Sequence, residues 1–329
     1  MQYALLLWPY LNSRYELAVR PMLTRELSRL LEYAGVEPRV TWLNIGGLDF
    51  PTFDAAPLTE RALDVLRTHS HLRLLLEVRP DGAMLPLATA RESELGGDLS
   101  SILKYKGKTS ELFTRCLINL AALESRFFDG AEGGVTLFDP MCGRGTTLFE
   151  ALNRGWHAVG SDLDAKDVEQ GYAFLKRYLE QGRFKHETKD FSMTIGRKAV
   201  KRRQITVKRP EGPLYASFIA GDLVDAASAH RPGSFHLVVS DIPYGVQHAP
   251  GGKMSLKGLL ERALPAMHRA LKPGGAMALS FNAYTMKRDH LVRLVSDAGF
   301  EPLDSEADRN LSHWVEQAVL RDFVLARRA

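Results

Sequence analysis

The chain has 329 residues, 45% of them hydrophobic and 25% charged, which suits one large or two smaller globular domains and excludes global disorder. Its net charge of +4 is unevenly spread: from Arg183 to Arg209 there are ten Lys or Arg against Glu187 and Asp190, so the remainder sums to −4. Two cysteines, Cys116 and Cys142, exclude a disulfide framework and a cysteine-rich metal site, and make a reducing, cytoplasmic setting the expectation.

Taken in order, the apolar run at 3–11 predicts a buried strand over 3–8. It falls far short of the ~20 residues that cross a bilayer. Without a basic leader or cleavage site it is not expected to be a signal peptide, and no membrane partner is expected. Helical spacing of Leu17, Leu23, Leu27, Leu30 and Leu31 predicts a helix over 16–33. A strand over 39–45, a helix over 58–69, and strands over 72–78 and 84–88 complete a small α+β domain spanning 1–98. Gly96-Gly97-Asp98 is the expected hinge.

Beyond it, Thr109 or Ser110 caps a helix expected to run to about residue 128. From Val135 strands and helices alternate: strands end at Asp139, Asp162, Asp222 and Asp241, another begins at Ala276, and residues 315–326 read as a closing strand. Strand–helix alternation predicts an α/β domain over 99–329, with a mostly parallel sheet covered by helices on both faces. Ligands of such sheets sit beyond the carboxyl ends of the strands. The four aspartates there are either ligand contacts or helix N-caps, for which Asp is equally suited.

After Asp139 comes Pro-Met-Cys-Gly143-Arg-Gly145-Thr146, a glycine turn into a helix. Gly143 and Gly145 let backbone approach a ligand closely. Leu148 stands where a dinucleotide fingerprint has its third glycine, and the Gly-Lys-Ser/Thr of a P-loop is missing. Asp139 puts negative charge where a pyrophosphate would lie, so the loop suits a nucleoside joined to an amino acid. Asp162 is placed to accept from ribose hydroxyls. Asp222 is placed to accept from an adenine amine, with Leu223 against the ring.

Asp139-Pro-Met-Cys-Gly-Arg-Gly-Thr, Ser161-Asp162, Gly221-Asp222, Asp241-Ile-Pro-Tyr-Gly and Leu271-Lys-Pro-Gly-Gly275, in this order, resemble a class I S-adenosylmethionine-dependent methyltransferase. The likeness runs from about Lys104 to the C-terminus and is to the nucleobase-amine branch that includes the tRNA guanine-N2 methyltransferases. It implies a Rossmann-like sheet and S-adenosyl-L-methionine held by Asp139, Gly143, Asp162 and Asp222. Residues 105–109 resemble the segment that, in this branch, lies over the methionine end of the cofactor, with Thr109 and Phe113 as further contacts.

In that chemistry the difficulty is the acceptor, whose nitrogen lone pair is delocalised into the ring. Asp241 and a main-chain carbonyl of the Ile242–Pro243 turn are suited to accept the two N–H bonds and aim the lone pair, while Tyr244 offers a stacking face. Asp241 is also suited to take the released proton. The family usually has two prolines between the acid and the aromatic residue; here Ile242 replaces the first.

The expected function is N-methylation of a nucleobase amine in RNA, tRNA first. DNA and small-molecule amines satisfy the same loop, and a non-catalytic nucleic-acid-binding protein is the rival from another class. His236 and His248 have no partners at metal-ligand spacing, and no metal is expected. Residues 183–209 form an insertion in which Phe191, Met193 and Ile195 alternate with polar residues, as do Ile205 and Val207. This suggests a hairpin tipped by Arg197, Lys198, Lys201, Arg202 and Arg203, which is either a phosphate grip or a solvated basic loop. Oligomeric state is not legible.

Overall fold

The computed structural model describes residues 1–329 apart from 11, 106, 196, 197, 243–247, 250, 251 and 254, with the backbone alone at 193–195, 198, 248, 249, 252 and 253. The chain divides into two compact units, one of Met1–Glu92 with Ser305–Leu320, the other of Ser93–Asp304 with Arg321–Ala329.

The first unit opens with β1 (Gln2–Leu7), α1 (Ser13–Tyr33), β2 (Val40–Ile45), β3 (Leu48–Asp54), α2 (Glu60–Leu66), β4 (Leu72–Val78) and β5 (Met84–Thr89). Its antiparallel sheet runs β2-β3-β1-β4-β5. Tyr3, Ala4 and Leu5 of β1 are buried, as are Val19, Leu23, Leu27, Leu30 and Leu31 along one face of α1. Strand β3 was not among the expected elements. Gly46 and Gly47, at φ +61 and +88, make the tight turn that folds it back on β2.

The second unit continues with α3 (Leu99–Ile102), α4 (Glu111–Glu124), β6 (Thr136–Asp139), α5 (Thr146–Asn153), β7 (His157–Asp162) and α6 (Ala165–Gln181). Then come β8 (His186–Ile195), β9 (Lys198–Val207), β10 (Leu214–Ala220), α7 (Leu223–Ser228) and β11 (Phe235–Asp241). A two-stranded pair, β12 (His248–Ala249) and β13 (Gly252–Lys253), precedes α8 (Leu256–Ala270), β14 (Leu271–Asn282), α9 (Arg288–Asp297) and β15 (Glu301–Leu303). The chain ends with α10 (Glu306–Arg309), β16 (His313–Glu316) and β17 (Val319–Arg327).

The large sheet has the order β15-β17-β14-β11-β6-β7-β10-β9-β8. Its centre, β14-β11-β6-β7-β10, is parallel, and antiparallel strands flank it on both sides. Successive residues Leu137 and Phe138 are both fully buried, so both faces are covered; α7, α8 and α9 supply one cover. From β6 the chain moves out through β7 to β10, then returns to the other side for β11 and β14. The switch point therefore lies between β6 and β11, where open sheets of this kind place their ligands.

The units divide differently from the sequence boundary at 98. Residues 93–98 belong to the second unit, and Ser305–Leu320 returns to the first. The return is fixed by an ion pair of Arg25 with Asp308 at 2.8 Å, Tyr15 edge-on to His313 at 5.7 Å, and Arg14 over Trp314 at 4.2 Å. The single closing strand expected at 315–326 is two strands, β16 and β17, because the chain turns at 317–318.

Candidate functional site

Asp139 ends β6 and is 2% exposed. Its Oδ1 accepts from Met141 N at 3.0 Å and Ser240 Oγ at 2.6 Å. Burial raises its pKa to about 6, against the bonds from Ser240 and Thr147 that favour the carboxylate. The loop then turns through Gly143 and Gly145, at φ +50 and +95, and Gly145 is the N-cap of α5. A Cβ on Gly143 would meet open space, so the backbone there is accessible to a ligand. Gly143 N donates to Asp162 Oδ2 at 2.8 Å, which ties the loop to the end of β7.

Asp162 Oδ1 accepts from Asp164 N at 2.9 Å, and burial raises the pKa of this carboxyl as well. Asp222 is an N-cap: its Oδ1 accepts from Val224 N at 2.8 Å and Asp225 N at 3.4 Å, while β10 ends two residues earlier at Ala220. Leu223 is packed in the core cluster with α7 and α8. The exposed apolar side chain beside these acids is Leu163, 43% exposed, which sequence reasoning passed over. Its signal was a leucine between two acids at a strand end.

At the end of β11, Asp241 Oδ1 accepts from Ser280 Oγ at 2.8 Å. Its Oδ2 accepts from Thr109 Oγ1 at 2.6 Å and faces Arg321 Nη2 at 3.3 Å. The Arg321 guanidinium lies 4.6 Å from the Phe113 ring, and Phe113 is fully buried. Thr109 and Phe113 are thus brought to Asp241. Pro243 and Tyr244 lie outside the described residues. Ser280 and Arg321 were missed by the sequence reading.

The two clusters adjoin. Ser240 binds Asp139 through its hydroxyl, and the next residue is Asp241. The segment before α4 spans both: Tyr105 hydrogen-bonds Thr146 at the start of α5, and Thr109 bonds Asp241. Arg144 braces this segment, with its guanidinium 4.5 Å from the Tyr105 ring and its Nε 2.9 Å from Asp167 Oδ1. Helix α6 reaches the glycine loop closely because Gly171 has no side chain; a Cβ there would lie 2.4 Å from Arg144 O.

Residues 183–209 contain the hairpin β8–β9, in register from His186↔Val207 to Ile195↔Lys198, and β9 extends the large sheet beside β10. Pairing with β10 stops at Arg202↔Ile219 and β10 ends at Ala220, so Lys198–Val200 runs past the carboxyl end of β10. Val200 is buried and would be 3.7 Å from a Cβ on Gly221. The expected basic tip needs correction. Arg202 and Arg203 sit within the sheet, where Arg202 bonds Ser217 and Gln204, and Arg203 pairs with Glu169 and Asp190 while stacking 3.8 Å from Tyr172. Lys201 pairs with Asp190 at 2.9 Å but is 62% exposed. Arg197 lies outside the described residues, as does the side chain of Lys198. Among the described residues no helix is long and apolar enough to cross a membrane.

Residues 113–298, more than half the chain, match the family UPF0020, the RMKL-like methyltransferase domain. A tRNA (guanine(10)-N2)-dimethyltransferase from Methanothermobacter thermautotrophicus is 27% identical over 180 residues, which are 55% of this chain and 40% of that protein. The chain therefore matches less than half the length of that curated relative. Among solved structures, the rRNA methyltransferase aviRa from Streptomyces viridochromogenes is 17% identical, covers 71% of this chain and 91% of its own, and has a TM-score of 0.41. A TehB-like methyltransferase from Corynebacterium glutamicum is 17% identical over 59% of this chain and 80% of its own, with a TM-score of 0.36.

Proposed function

The chain belongs to the RMKL-like methyltransferase domain family, and from that premise we propose that it moves a methyl group from S-adenosylmethionine to a nucleobase amine in RNA, tRNA first. One observation carries the acceptor side of this reading. Asp241 stands at the carboxyl end of β11, next to the switch point, with both carboxylate oxygens held by hydroxyl donors, Ser280 and Thr109.

The residues at the β6 and β7 ends fit the cofactor. Asp139 is a buried carboxylate whose ionised form is disfavoured by burial, and a ligand ammonium would restore it. Gly143 leaves open space in front of the loop, and Asp162 stands where ribose hydroxyls would be bound. Leu163 offers an apolar face beside it. When bound, S-adenosylmethionine supplies a methyl group activated on a sulfonium. Asp241 accepts an N–H of the acceptor amine, turns the nitrogen lone pair, and takes the proton released on transfer. Thr109, bonded to Asp241, and Tyr105, bonded to Thr146, let residues 105–109 align the two halves of the site.

The curated relative's tRNA substrate supports RNA as the acceptor class, and a cytoplasmic setting follows from that reading. The partner surface on this reading is the basic insertion over 183–209, which includes the exposed Lys201. Nucleoside mass spectrometry of tRNA and rRNA from a deletion strain tests the function: one N-methylated nucleoside should disappear. Unchanged nucleosides in both RNAs would favour a small-molecule amine. The internal ion pairs of Lys201 and Arg203 are the observation on that side.

A further inference from the structure

We infer that Arg321 is a positioning residue for the acceptor chemistry, holding the Asp241 carboxylate fixed in orientation; this rests on the proposed role of Asp241. Arg321 is 5% exposed on β17, directly opposite Asn282 of β14. Burying a guanidinium is costly unless it is paired. Its Nη2 is 3.3 Å from Asp241 Oδ2, and its guanidinium carbon lies over the ring of Phe113, 4.6 Å from the centroid, with Phe113 itself fully buried on α4.

The carboxylate receives donors from three elements: Thr109 before α4, Ser280 on β14 and Arg321 on β17. Two hydroxyls fix its position but carry no charge. Arg321 alone among these donors supplies a full positive charge that cannot be lost by deprotonation at working pH. A carboxylate that must accept an N–H from the acceptor amine must not rotate its plane away from it. Arg321 meets this requirement through Oδ2. If fastening strands were its only purpose, apolar residues of similar volume would do as well.

The test uses the full chain, labelled S-adenosylmethionine and bulk tRNA, with Arg321→Met, Arg321→Lys, Asp241→Asn and the Asp241→Asn/Arg321→Met double variant. Met keeps an apolar contact with Phe113 and removes the charge; Lys restores charge without the planar fork. Arg321→Met should lower kcat about 10- to 100-fold, with KM for tRNA and cofactor affinity by calorimetry held within about twofold. Arg321→Lys should recover part of that loss. The double variant should be no slower than Asp241→Asn, because Arg321 acts through Asp241. If Asp241→Asn is inactive while Arg321→Met keeps wild-type kcat, or if the two losses multiply, the inference is overturned and the role of Asp241 stands. Loss of cofactor affinity in both Arg321 variants would also overturn it, since that marks a structural role. Wild-type turnover by Asp241→Asn would remove the underlying reading itself.

Discussion

The backbone N–H of Ile242 donates to Ser280 O at 2.8 Å, carrying the pairing of β11 with β14 one residue past Asp241. The Ile242 side chain is 1% exposed in the core. This explains how the chain does without the first of the two prolines usual in the resembling family: a hydrogen bond and a buried side chain fix the start of the turn. Proline has no N–H and would lose that bond. Ile242→Pro should therefore cost about 1–3 kcal/mol in a urea unfolding series and reduce turnover. A variant as stable and active as wild type would refute the explanation.

Asp139 gives the cofactor reading a pH signature. Its pKa is raised from 3.8 to about 6 by burial, so below that value the carboxyl is protonated and its attraction for an ammonium is lost. Cofactor affinity should be highest between about pH 6 and about pH 7.5, where carboxylate and ligand ammonium are both charged, and should fall below pH 6 by at most about tenfold per unit. Asp139→Asn should bind weakly with no such dependence. In the ligand-free protein the sign is opposite. A raised carboxyl pKa adds stability at low pH that is lost as the pH rises through about 6. Calorimetry between pH 5 and 8, an interval chosen to bracket that value, measures the first effect; an acid limb that persists in Asp139→Asn would assign it elsewhere.

Gly171 sits inside α6, where replacing glycine with alanine ordinarily helps by up to about 1 kcal/mol. Here the added Cβ would be 2.4 Å from Arg144 O, a backbone atom of the glycine loop that cannot swing aside. Overpacking wins, and Gly171→Ala should destabilise by about 1–3 kcal/mol. It should also weaken cofactor binding, because the loop is displaced. Gly97→Ala, whose Cβ meets nothing within 4 Å, is the control. A stabilised Gly171→Ala would show that the loop yields freely.

Two groups of basic residues in the hairpin should behave differently. Arg197, Lys198 and Lys201 changed together to Ala should flatten the salt dependence of RNA affinity by roughly one unit per lost phosphate contact. The Lys201–Asp190 pair is exposed and easily exchanged for a phosphate. Arg202 and Arg203 changed to Ala should instead lower stability and leave the slope alone, since Ser217, Gln204, Glu169 and Asp190 already engage them. Filter binding at several salt concentrations separates the two, and equal slopes in all three proteins would exclude the hairpin as the RNA contact.

The parts of the site that were readable in sequence are local. Asp139, Gly143 and Gly145 follow one another across a strand end, so a short motif specifies them. Asp162 and Asp241 are legible because each closes an apolar run. Ser280, Gly171 and Arg321 are not, since each matters through a partner far away in sequence: Arg321 reaches Asp241 only because β17 folds antiparallel onto β14. In a strand of buried apolar residues it reads as an edge charge. Asp222 and Leu223 show the opposite limit. A strand-end aspartate fits both a ligand and a helix cap, and the structure uses its Oδ1 for the cap. The N-terminal unit's β3 was not legible, because Asp49, Pro51 and Asp54 interrupt its alternation.

On the proposed reading, Asp241 presents a nucleobase amine for methylation. Transfer of labelled methyl from S-adenosylmethionine to bulk tRNA, followed by nucleoside mass spectrometry, measures it directly for wild type and Asp241→Ala. Label should appear on an amine nitrogen of one nucleoside, with a rate lower by about 100-fold or more in Asp241→Ala at unchanged cofactor affinity. Label on carbon or oxygen, or an Asp241→Ala rate within a few-fold of wild type, would contradict it.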